Sequence, residues 1–289
     1  MSHTVVPDGP FDLAVQNRYF GGWASLSGTR DSIVMAFPVE GWEDSAAVSL
    51  RQEADGRVRG EVHGARRQEA AWRQALAALS LDVDGTGYAA VGERDPVIGR
   101  LQHEHGFVRP VLFHSPYEAA CSFLIGHRIR IAQGRAIRQR LAERFGDAID
   151  VGDDTVHAFP RPQRLLEIQE AAGLNGEKLE RLHGVARAAL QGQLDRERLR
   201  AMTLSDAVAS VRRLRGVGDF FASGIVLRGA GAVDEVPGDP ITAAGVQRFY
   251  GLRSAPSTDE MTRITEVWRP YRMWCSVLVH AAERRAHGG

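Results

Sequence analysis

The residues that could do chemistry in this chain of 289 residues are few and close together. RLRGVGDFFASGIVLRGAGAVDEVPGDPITAAG runs from Arg213 to Gly245, with Gly216 and Gly218 two apart and Asp239 in the turn PGDP. Glycines at this spacing permit backbone conformations that a Cβ forbids, and they let the main chain approach a ligand closely. LSDAVASVRRL before them and DFFASGIVLRGA after them are both helical in pattern, so the glycines form a hairpin between helices. Amides around Gly216, Val217 and Gly218 then point outward at a helix start, where they can hold a phosphate. The same glycines would also serve a plain helix–turn–helix connection. Asp239, between Gly238 and Pro240, is displayed by a rigid turn, and it is equally placed to cap the helix ITAAGVQRFYG. The two roles are compatible.

Two regions must position these residues. Residues 1–109 look mixed: SIVMAFPV reads as a strand, AVSLRQEADGRVRGEVHG as a β-hairpin around Asp55-Gly56, and RRQEAAWRQALAALSL and DPVIGRLQHEHG as helices. This is an α+β domain with an antiparallel sheet. A boundary falls near FVRPVLFHSP, and residues 110–289 are almost wholly helical in pattern, with the candidate helix–hairpin–helix at about 204–230. Ser115-Pro116-Tyr117-Glu118 has the residues of a capping box with proline in the first turn, and Ser257-Thr258-Asp259-Glu260 forms another. Pro270 interrupts the last helix. The fold class expected is mainly α, with an N-terminal sheet domain.

Composition limits the function classes. The formal net charge is zero, but residues 1–109 carry 11 basic and 15 acidic side chains, and residues 110–289 carry 25 and 21. A basic face on the helical part is allowed without being demanded. Lys178 is the only lysine, so a catalytic lysine nucleophile is disfavoured. No apolar run reaches the length that spans a bilayer, and MSHTVVPDGPFDLAV lacks the pattern of a secretory signal. Cys121 and Cys275 read as buried free thiols, which fits a reducing cytoplasm. There is no zinc-ligand spacing, cysteine quartet, Walker loop or dinucleotide fingerprint.

Several separated motifs resemble the helix–hairpin–helix superfamily of DNA glycosylases, and within it the bacterial inducible 3-methyladenine DNA glycosylases. They are SPYEAACSFLIGHRIRIAQGRAIRQRLAERFG, RPQRLLEI, LRGVGDFFASGIVLRGAGAVDEVPGDP and VWRPYRMWCSVLVHA, spanning about 110–284, with a weaker echo in GPFDLAVQNRYF. The resemblance implies a monomer that bends damaged duplex DNA, grips its backbone at the hairpin and extrudes a base into a cleft. It implies that Asp239 is the catalytic carboxylate, acting on positive charge at the sugar C1′ and on the attacking water. It also implies that Tyr19, Phe220, Tyr271 and Trp274 supply a stacking pocket. His127 and Arg128 stand where a Gln-Leu wedge is expected. No cofactor is required, although main-chain carbonyls of Arg212, Leu214 and Val217 match those that hold a monovalent cation in the family.

Departures from the family pattern bear on substrate and mechanism. The bifunctional members place a Schiff-base lysine where Phe220 stands, so the resemblance implies a monofunctional enzyme without lyase activity. A family tyrosine falls at Gly224, an aromatic at Pro240, and the closing tryptophan at Tyr271, which implies a roomier, less aromatic pocket. His127 and His280 are expected to be satisfied, non-catalytic histidines. The alternative function is a reader of damaged DNA that excises poorly.

Overall fold

The computed structural model describes residues 2–20 and 32–288. Four strands, β1 (Ser2–Val5), β2 (Ser32–Pro38), β3 (Ser45–Gln52) and β4 (Val58–His63), pair antiparallel in the order β1-β4-β3-β2. The turn at Asp55-Gly56 joins β3 to β4, with Gln52 opposite Val58. Alternation along β2 divides the sheet's two faces. Ile33, Met35 and Phe37 pack with Trp72, Ala75 and Leu79 of α2 (Gln68–Ala78) and the residue after it. Val34, with Ala47, faces Ile149 and Val151. These last residues belong to a second hairpin, β5 (Ala148–Val151) with β6 (Asp154–His157), inserted among the helices. Its short apolar alternation carries no strong turn pair, and β1 and this hairpin are absent from the sequence reading.

Helices build the rest. α5 (Pro116–Gly126), α6 (Ile131–Phe145), α7 (Pro162–Glu167), α8 (Gly176–Leu190) and α9 (Arg196–Ala201) contribute to one apolar cluster. α10 (Leu204–Arg212) and α11 (Asp219–Ile225) pack into the same cluster. A second cluster joins α1 (Leu13–Phe20), α3 (Tyr88–Arg94) and α4 (Pro96–His105) to α12 (Pro240–Phe249), α13 (Thr258–Glu266) and α14 (Arg272–Gly288). The break expected at 109/110 therefore separates sequence stretches, while the second core is shared across it. Turn signals mark local chain breaks but do not specify which core a helix joins.

Capping fixes several of these boundaries. Ser257 and Glu260 complete a reciprocal capping box at α13. At α5, Ser115 Oγ accepts from the Glu118 amide (3.1 Å), but the Glu118 carboxylate does not return to the cap. It is buried and faces Arg138 (3.5 Å) and His114 (3.3 Å). A buried carboxylate gains more from a cation than from a neutral amide. Cys121 and Cys275 are buried free thiols. Among the described residues no helix is long and apolar enough to cross a membrane.

Candidate active site and nucleic-acid interface

Thr203 caps α10 through the Asp206 amide (3.1 Å), and α10 then ends in two tight turns. The Leu214 amide donates to the Val211 carbonyl and the Val217 amide to the Leu214 carbonyl, both at 3.0 Å. Gly216 has φ +87°, the left-handed region that glycine occupies without strain. Val217, only 6% exposed, anchors the hairpin in the helical core, while Gly216 and Gly218 stay at the surface. α11 starts at Asp219, with Gly218 as its N-cap. The three residues expected to offer carbonyls to a cation, Arg212, Leu214 and Val217, all lie on this turn. α11 runs into a π-helical turn, Val226–Ala230, closed by the Gly231 amide on the Val226 carbonyl (3.1 Å). Such turns often accompany functional sites.

Asp239 combines both roles left open by its sequence. Its Oδ1 accepts from the Ile241 and Thr242 amides, each at 3.0 Å, and its Oδ2 accepts from the Thr242 hydroxyl at 2.6 Å. The side chain is half-buried, so the cap fixes the carboxylate without removing it from solvent. Thr242, buried and one turn into α12, is part of the arrangement and was missed in the sequence, although its i+3 spacing from Asp239 was the available signal.

Two further groups surround this carboxylate electrostatically. Arg228, in the π-helical turn, donates to the Val111 carbonyl (2.6 Å). Burial lowers its pKa to about 10, Arg284 acts in the same direction, and Asp239 opposes them. His280, on α14, is also pushed below its ordinary value, first by burial and then by Arg284, while Asp239 raises it. Burial therefore favours its neutral form. Among the described residues its buried Nε2 has no hydrogen-bond partner, unlike the satisfied histidine expected here.

The expected stacking pocket is not gathered as four rings. Trp274 is 1% exposed, edge-on to Tyr88 and under the Arg109 guanidinium at 4.7 Å, so no face is left for a ligand. Tyr271 packs against the same two rings and donates to the Asp84 carbonyl (2.9 Å). Both are core residues, because the last helix turns this face into the second apolar cluster. Tyr19 packs against the same cluster, with its hydroxyl 2.7 Å from His105 Nδ1. Phe220 is 60% exposed on the first turn of α11, beside the hairpin.

A different aromatic group occupies the face between α5 and α11. Phe123 lies 5.3 Å from Phe221, and Phe221 meets the His127 ring edge-on at 5.5 Å. A Cβ built at Gly224 would come within 2.4 Å of the Phe123 ring. The missing side chain at Gly224 is thus replaced in space by a ring from the neighbouring helix. All three rings are partly exposed. The Gly224 vacancy was visible in the sequence, but its occupant could not be, because the contact joins residues about a hundred positions apart.

His127 and Arg128 form the connection from α5 to α6. Arg128 is exposed and has φ +57°, unusual for a residue with a Cβ. Around the hairpin, Arg212, Arg215 and Arg181 pair with Asp219, Glu180 and Glu177. Among the described residues Arg128, Arg130 and Arg135, all exposed on this connection and the start of α6, form no ion pair, and neither does the exposed Arg213 of the hairpin.

No protein-family model matches the chain. A Bacillus subtilis protein named DNA-3-methyladenine glycosylase is 23% identical over 203 residues, covering 68% of this chain and 67% of its own. A 3-methyladenine DNA glycosylase structure from Archaeoglobus fulgidus superposes with a TM-score of 0.75 at 18% identity, covering 99% of each chain. The chain has the helix–hairpin–helix glycosylase fold. A Clostridium acetobutylicum 8-oxoguanine glycosylase/lyase bound to double-stranded DNA also superposes, with a TM-score of 0.69 at 16% identity over 99% and 98% of the two chains. The fold therefore accommodates both oxidised-base and alkylated-base neighbours. Choosing between those chemistries requires the site residues.

Proposed function

We propose that this protein is a monofunctional DNA N-glycosylase of base excision repair that releases alkylated purines such as 3-methyladenine. The observation that carries the reading is the carboxylate of Asp239, held by two amides and a hydroxyl at the start of α12 in a chain that also has the left-handed Gly216 hairpin. Gripping phosphate needs no carboxylate. Breaking a glycosidic bond does, because positive charge develops at C1′ as the base departs. Asp239 stabilises that charge and orients or deprotonates the attacking water. An N-alkylated purine already carries positive charge and leaves without a strong general acid.

The hairpin amides hold the duplex backbone, and the carbonyls of Arg212, Leu214 and Val217 are those that would hold a monovalent cation and neutralise phosphate charge there. Arg128 fills the gap left by the extruded nucleotide. Phe220, at the position where a Schiff base would form, has no amine, so no strand cleavage follows base release. The protein works as a monomer on damaged duplex DNA in the cytoplasm. The names of its sequence relatives favour alkylated bases.

The test is chromatography of bases released from methylating-agent-treated duplex DNA, with borohydride added to trap any Schiff base. Release of methylated purines without a trapped adduct is expected. No release, with DNA binding retained, would leave a damaged-DNA reader in place of an enzyme.

A further inference from the structure

The chain's single lysine sits in the first turn of α8, where a cation is unfavourable against the helix dipole. Asn175 Oδ1 already caps that turn through the Lys178 amide (2.8 Å), so the side chain is not needed to start the helix. Its ammonium instead crosses to α5 and donates to the carbonyls of Ile125 (2.8 Å) and His127 (3.0 Å). These are orphan carbonyls at a helix C-terminus, the place where a cation is favourable. The next residue is Arg128, with its left-handed backbone. Burial lowers the ammonium's pKa, and Arg181 acts in the same direction.

One turn further along α8, the Arg181 side chain lies against the hairpin, where a Cβ on Gly216 would meet its Cδ at 2.7 Å. The same end of α8 therefore touches both surface elements that the proposed function assigns to DNA.

We infer that Lys178 is a positioning residue: by binding the carbonyls on either side of Gly126 it holds the His127-Arg128 connection in its strained form, so that Arg128 projects at a fixed place beside the hairpin. This rests on the glycosylase reading for its consequence, but its structural half does not. A guanidinium displaced by an ångström no longer fills the space of an extruded base, and misplacements of this size cost up to about a hundredfold in rate.

The test uses the full chain with Lys178→Met, and with Lys178→Cys alkylated by bromoethylamine to restore an ammonium of similar reach. The two native thiols, Cys121 and Cys275, are buried. Hydrogen exchange across residues 125–131 is expected to accelerate about tenfold or more in Lys178→Met and to recover in the alkylated variant. With methylating-agent-treated DNA, kcat is expected to fall about tenfold on duplex, with KM within about threefold, and to change less than twofold on the same DNA as single strands. Unchanged exchange, equal loss on both substrates, or absence of recovery would overturn the inference.

If the wild type releases no base, the glycosylase reading fails by itself. Lys178 is then judged by exchange and by fluorescence of a 2-aminopurine beside a tetrahydrofuran abasic analogue in bound duplex. A loss of unstacking in Lys178→Met supports the positioning role, and full unstacking refutes it.

Discussion

Gly216→Ala separates backbone recognition from base recognition. The residue has φ +87°, and an added Cβ in the left-handed region costs about 1–2 kcal/mol. The new methyl would also stand 2.7 Å from Arg181 Cδ and 2.9 Å from its Nε. Arg181 must swing aside and release Glu177, a largely exposed partner at 2.6 Å whose loss costs under about 1 kcal/mol. The total, about 2 kcal/mol, lowers Tm by roughly 3 °C for a chain of this size. The hairpin amides turn away from phosphate, and the loss of one charge-assisted hydrogen bond weakens DNA binding about tenfold. Fluorescence anisotropy with undamaged, methylated and abasic duplexes should show the same factor for all three. The amides carry no net charge, so the slope of log K against log salt should stay put, whereas Arg130→Ala should reduce it by about one. A loss confined to one lesion, or unchanged binding in a protein with the expected drop in Tm, would refute the reasoning.

Asparagine caps helices as well as aspartate, so Asp239→Asn should stay within about 0.5 kcal/mol of wild type in urea unfolding, while Asp239→Ala should lose about 1–2 kcal/mol with the cap and the Thr242 partner. Asp95 caps α4 through the Val97 and Ile98 amides and accepts from the Tyr250 hydroxyl (2.5 Å) and Trp268 Nε1 (2.9 Å). Asp95→Ala removes the cap and strands the half-buried Tyr250 hydroxyl, while Trp268 Nε1 keeps the Tyr250 oxygen as acceptor (3.0 Å), and it should cost about 3 kcal/mol by the same measurement. Burial raises the Glu40 pKa to about 6 against the opposing effect of Arg196. The folded state thus holds this proton more tightly than the unfolded chain, and stability falls as pH rises from about 4.5 to 6, by at most about 2 kcal/mol. Glu40→Gln should remove that increment, seen as the wild-type-minus-mutant difference between pH 4.5 and pH 7.

Most of the local structure follows from local signals. The hairpin glycines, the caps at Ser115 and Ser257, the Asp55-Gly56 turn and the amphipathic helices all have causes within a few residues. Asp239 was legible for the same reason, because a proline-bounded turn both displays and caps. What escaped depends on distant partners. Glu118 leaves its cap for Arg138, which lies on another helix. Tyr271 and Trp274 have the composition of a pocket, but Tyr271, just before α14, and Trp274, in its first turn, are covered by Tyr88 and Arg109. Phe123 enters the space beside Gly224 only after α5 and α11 pack together. The reach of Lys178 to the end of α5 has no periodicity to betray it.

The central claim is that Asp239 breaks glycosidic bonds, and the most direct measurement compares wild type with Asp239→Asn on methylating-agent-treated duplex DNA under single-turnover conditions, with binding measured on the same samples. The account predicts release of methylated purines by wild type, a loss of at least about a hundredfold in Asp239→Asn, and DNA affinity within a few-fold. Equal release by the two proteins would contradict it.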